Sequence, residues 1–177
     1  MNRWILLLRG VNVGGSNILP MKDLRAALER RGLRDARTYI QSGNCVIDGD
    51  ARDAAELSAL AAGAIEQDFG FRPQVLALTP QQIETAIADN PFADEGCDPK
   101  TVHIHFLLEE PGAPDLASLE SLRAPSERFH LATGRFYLHA PDGVARSKLA
   151  AQAERRLGVP TTARNLRSVM KIAELAR

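Results

Sequence analysis

Apolar and polar positions along the 177-residue chain follow two rhythms. Alternating or wholly apolar runs predict strands at 4–9, 36–40, 45–48 and 74–78, while apolar residues spaced by three and four predict helices at 21–31 and 53–69. The order is β-α-β-β-α-β, with Gly32, Gly43 and Gly70 where the chain changes direction. From residue 102 the order recurs: strand 102–108, helix 115–122, strand 128–132, strand 135–140, helix 147–157 and a short strand 159–162. A linking helix over 81–88 ends near Asn90-Pro91, because a residue before proline avoids helical geometry. A last helix, 164–176, carries Val169, Ile172 and Leu175 on one face.

Each half matches the split βαβ unit of ferredoxin-like folds. The expected fold class is therefore α+β: a tandem duplication of ferredoxin-like βαββαβ units, each an antiparallel sheet in strand order 4-1-3-2, plus a C-terminal helix. The expected divisions are 1–79, a linking helix and loop at 80–100, and 101–177. The repetition is one of element order, not of visible identity.

This topology says which loops meet. In the first half, the turn after strand one (Arg9 to Asn17) should face the turn between strands two and three (Gln41 to Asn44). In the second half, the opposite end should gather the start of the penultimate helix (Arg146, Ser147, Lys148) and the end of the last strand (Thr161, Thr162, Arg164, Asn165).

The first of these loops is the sharpest local signal. Leu6-Leu7-Leu8 breaks at Arg9 into Gly10-Val11-Asn12-Val13-Gly14-Gly15-Ser16-Asn17, a loop of glycines and asparagines at a strand's C-terminal end. Its spacing is neither G-x-G-x-x-G nor a P-loop, so no cofactor motif is assigned. Arg9 suits a carboxylate or phosphate, with Asn12, Gly14, Gly15, Asn17, Gln41, Ser42 and Asn44 fixing orientation; the competing reading is that these residues only stabilise two tight turns.

At the second candidate site, Ser147, Lys148, Thr162, Arg164 and Asn165 combine caps with cations. A lysine at a first helical position opposes the macrodipole unless an anion is present. A nucleophile-base pairing of Ser147 with Lys148 fails, because adjacent helix residues do not face each other.

Charge sharpens this second site. Lys+Arg and Asp+Glu both total 22, but run 10 against 9 over residues 1–79, 4 against 11 over 80–143, and 8 against 2 over 144–177. A basic C-terminal segment attracts anionic partners. Alternation places His103, His105, His130 and His139 on one sheet face away from the helices, but no Cys or carboxylate pattern completes a metal site, so no metal is expected. Cys45 and Cys97 lack disulfide or zinc spacing, and the apolar start at Ile5–Leu8 is too short for a signal peptide or span, so a cytoplasmic protein without a membrane role is expected, as monomer or homodimer.

The motifs LLRGVNVGG, TYIQSGN at 38–44, NPF at 90–92, SKL at 147–149 and TTARN at 161–165 together resemble the family catalogued as domain of unknown function 1697. The resemblance implies a tandem ferredoxin-like fold and brings no activity or catalytic residues. The functional reading is a small anionic ligand, phosphorylated in one version, bound at the polar loops, with no reaction assigned. The alternatives are RNA binding by the basic C-terminal segment, without the aromatic platform usual on such sheets, and a non-catalytic interaction module suggested by a first sheet apolar on both faces.

Overall fold

The computed structural model describes residues 2–93 and 96–177. It divides into two compact units, Met1–Thr85 with Met170–Arg177, and Ala86–Val169. The boundary between the units falls within the final helix.

The first unit holds β1 (Asn2–Arg9), α1 (Met21–Glu29), β2 (Arg34–Tyr39), β3 (Asn44–Gly49), α2 (Ala54–Phe69) and β4 (Gln74–Leu78). Its sheet has the expected antiparallel order, β2-β3-β1-β4. The pleat turns Trp4, Leu6 and Leu8 of β1, with Cys45 and Ile47 of β3, into one core with Leu24, Leu28, Leu57, Ala61 and Ile65 of the helices. Ile5 and Leu7 point the other way and are 0% exposed, so no partner chain is needed to cover that face. Burial on both sides is why β1 reads as an unbroken apolar run. On the second face Arg3 donates to Asp48 and, at 3.2 Å, to the Arg177 carbonyl, so the chain's last residues border it.

After α3 (Pro80–Ala88), which straddles the division, come β5 (Val102–Leu107), α4 (Leu116–Leu122), β6 (Arg128–Ala132), β7 (Arg135–His139), a 3-10 turn at Val144–Arg146, α5 (Lys148–Leu157), β8 (Thr161–Asn165) and α6 (Leu166–Leu175). The second sheet repeats the order as β6-β7-β5-β8. Leu107, Phe136 and Leu138 pack against Leu119 of α4 and Leu149, Ala153 and Leu157 of α5. Among the described residues, no helix is long and apolar enough to cross a membrane.

The histidine expectation fails here. His103 lies opposite Leu138 and His105 opposite Phe136, on the face covered by α4 and α5, whereas His130 lies opposite Tyr137 and His139 opposite Val102, on the other. Alternation misled because β5 is buried on both sides: Val102 and Ile104 are 0% exposed, so their apolar character does not say which face the helices take. With the histidines split, the four-histidine metal option loses its geometry.

Candidate functional site

In the first unit the two loops meet as topology requires. The Asn12 side chain donates to the Leu19 carbonyl at 2.9 Å and the Gln41 carbonyl at 2.7 Å, and its Oδ1 accepts from the Leu19 amide at 2.7 Å. Asn17 donates to the Gly10 carbonyl, and Asn44 to the Tyr39 carbonyl and the Ser42 hydroxyl. Gly14 and Gly15, at φ 58° and 78°, form the tip of a tiny hairpin closed by the Val13–Ser16 bridge. Gly43 lets the loops approach: a Cβ there would lie 2.7 Å from Leu8 Cβ. Three of the asparagine side chains offered for ligand orientation thus tie backbone to backbone.

What remains open beside them is a depression of about 680 Å³ lined by Arg9, Gly10, Asn17, Arg72, Pro73 and Gln74. Arg9 donates to Gln74 Oε1 at 2.6 Å, and Arg72 pairs with Glu66 at 2.7 Å. Arg72 was not read from the sequence as part of this end; it follows α2 and enters through the pairing of β4 with β1.

The second unit carries the more basic site. A hollow of about 440 Å³ is lined by Ser121, Leu122, Arg123, Ala124, Glu127, Arg146, Ser147 and Lys148. A second, of about 400 Å³, is lined by Leu122, Lys148, Ala151, Gln152, Arg155 and Arg156, so the two join into a groove between the end of α4 and one flank of α5. Five cations border this groove against the single carboxylate of Glu127. That carboxylate is turned inward, accepting from the Ala124 amide at 2.8 Å.

Local sequence builds the groove's head. Ser147 is the N-cap of α5, its Oγ accepting from the Ala150 amide at 2.9 Å, and Gly158, at φ 77°, ends the helix. Lys148 and Leu149, the first helical residues, have no preceding helical carbonyl to bind, so their N–H groups and the helix dipole make the spot electropositive. Arg123 pairs with Glu120, and Arg156 with Asp115 at 3.3 Å. The side chains of Arg146, Lys148 and Arg155 have no hydrogen bond or ion pair among the described residues.

Thr162, Arg164 and Asn165 do not join Ser147 and Lys148. Thr162 and Arg164 lie opposite Phe106 and Ile104, on the sheet face away from α4 and α5, and Asn165 instead caps α6 by accepting from the Ser168 amide at 2.8 Å. Arg164 is buried and bonds the Thr162 hydroxyl and the Ala163 carbonyl, both at 2.8 Å; burial lowers its pKa to about 10. The expected cluster shares an end of the unit but not a face, since strand residues alternate. Arg155 and Arg156 were missed, although they stand seven and eight places after Lys148, on the same helical stripe.

The profile of the family described as Protein of unknown function (DUF1697) matches residues 1–137. The chain belongs to the DUF1697 family. That match ends inside β7, so the SKL and TTARN stretches stand outside it. Among solved structures, the conserved bacterial protein SP0830 from Streptococcus pneumoniae is similar to this DUF1697 chain with a TM-score of 0.72 and 23% identity, covering 99% of this chain and 98% of its own. This likeness shows the fold. No curated protein matches the chain.

Proposed function

We propose that this protein binds a small anionic, phosphorylated ligand, and that the site is the groove at the head of α5. The observation that carries the reading is the set of three cations, Arg146, Lys148 and Arg155, whose side chains are unpaired among the described residues, around a groove that starts at a helix N-terminus. A phosphate there would meet backbone N–H donors and charge of the right sign together. The depression beside Arg9 and Arg72 is the second place for such a ligand, but both arginines already have polar partners.

Thermal stabilisation by phosphate and phosphorylated metabolites tests the reading, since a ligand that binds only the native state raises the melting temperature. Lys148→Gln should weaken binding about tenfold, the effect of losing one charge-assisted contact. Arg9→Ala should leave it unchanged. The reverse pattern would move the site to the loops of the first unit, and no stabilisation by any phosphate compound would retire the reading. RNA binding through the same cations is favoured by their row-like spacing along α5; a steep fall of affinity with salt would mark it.

A further inference from the structure

The two hollows differ in what a single phosphate could reach. At the head stand Arg146, Ser147 and Lys148; at the far end stand Arg155 and Arg156. Between them the lining is Leu122, Ala151 and Gln152, with no charge. Lys148 and Arg155 are seven residues apart on one helix, hence about 10 Å along its axis at a rise of about 1.5 Å per residue. One phosphate held by Lys148 and the first amides of α5 leaves Arg155 out of contact. Arg155 is exposed, has no partner among the described residues, and sits beside another cation, Arg156.

We infer that the groove accommodates an extended phosphate chain, with one anionic group at the head of α5 and a second about 10 Å away at Arg155 and Arg156. This rests on the anion-binding reading above and goes beyond it by fixing the ligand's shape. Phosphates repeated along a chain would meet cations at both ends, while the neutral middle lets the ligand cross against Leu122 and Ala151. The shared chemistry is a linear phosphate polyanion, whether a nucleic-acid backbone or an inorganic polyphosphate.

The test is calorimetric titration of the full chain with orthophosphate, a short and a long linear polyphosphate, and a single-stranded oligothymidylate. Arg155→Gln and Lys148→Gln are the variants, because glutamine retains helix propensity. The longer chains should bind at least tenfold more tightly than orthophosphate. Arg155→Gln should weaken them about tenfold without changing orthophosphate, and should reduce the salt slope by about 0.7, the share of one phosphate on a single strand. Lys148→Gln should weaken every phosphate species. Tight binding of the oligothymidylate alone would support the inference with nucleic acid as the source; tight binding of polyphosphate would support it with the phosphate chain itself as the determinant. If orthophosphate binds as well as the chains, or Arg155→Gln leaves the chains unaffected, the two-ended groove is wrong and the anion site at Lys148 still stands. If no phosphate species binds, both fall.

Discussion

Asn12 carries much of what the first loop does. Its backbone is left-handed, at φ 54°, and its amide makes three hydrogen bonds that join residues 12, 19 and 41. Replacing it with alanine removes all three and leaves a Cβ in a conformation alanine avoids, so Asn12→Ala should lower stability by about 2–3 kcal/mol, read as a fall in denaturant midpoint at constant slope. The neighbouring loop holds a conflict of the opposite kind. Ile40 sits at φ 49° and is 51% exposed, a β-branched residue where asparagine or glycine belongs. Ile40→Asn should therefore raise stability by about 1 kcal/mol, since little burial is lost and the left-handed penalty is relieved. A loss instead would mean that the side chain is held by contacts its exposure does not suggest. The sequence made the loop legible as a built turn, but not which asparagines were spent inside it, because an amide bonded to its own backbone and one waiting for a ligand look alike as letters.

At the scale of elements, α5 was read nearly to its ends from the cap Ser147, the terminator Gly158 and the apolar stripe Leu149, Ala153, Leu157. Those signals are local, so the sequence carries them. Lys148 at its first position works against the dipole; with its charge removed, the ligand-free protein should gain about 0.3–1 kcal/mol while ligand-induced stabilisation falls. The loss of ligand-induced stabilisation, measured by melting Lys148→Gln with and without phosphate, separates a lysine kept for an anion from an ordinary solvated one, which would show the dipole gain alone. The last strand was the poorer reading. Thr161 to Asn165 was divided between a strand ending at 162 and a helix beginning at 164, whereas β8 continues through Asn165, paired residue for residue with β5. Arg164 is a strand residue buried by its neighbours, and a buried arginine in a five-residue run does not announce itself by periodicity.

For the whole molecule, the duplication and both sheet orders were legible because two βαββαβ patterns admit few topologies once crossings are right-handed and short. Which face each central strand gives to its helices was not, and the histidines show the consequence. His105 ended up between β5 and the helices, its ring edge-on to Phe136 with centroids 5.5 Å apart and its Nδ1 3.4 Å from the Thr161 hydroxyl. Burial, and then the nearby His103, lower its pKa to about 4, and burial lowers that of His103 as well. The native chain thus holds His105 neutral where the unfolded chain would protonate it. The unfolded state binds the extra proton once the pH falls below about 6.5, so stability contributed by keeping His105 neutral is complete above that value. It declines as the pH drops toward 4 and is lost below it, for a total of about 3 kcal/mol from this one group. The ion-paired carboxylates act in a separate window: Asp48 beside Arg3 and Asp68 beside Arg31 and Arg30 are held below the usual carboxylate range, so their contribution fades only at more acidic pH. Chemical denaturation between pH 7.5 and 4.5 should therefore show wild-type stability falling by most of those 3 kcal/mol. His105→Leu, which removes the proton-binding group and keeps an apolar side chain against Phe136, should flatten the curve across that span. An equally steep loss in the variant would assign the acid sensitivity to other groups, His103 among them, and would mean that His105 is not held neutral by the fold.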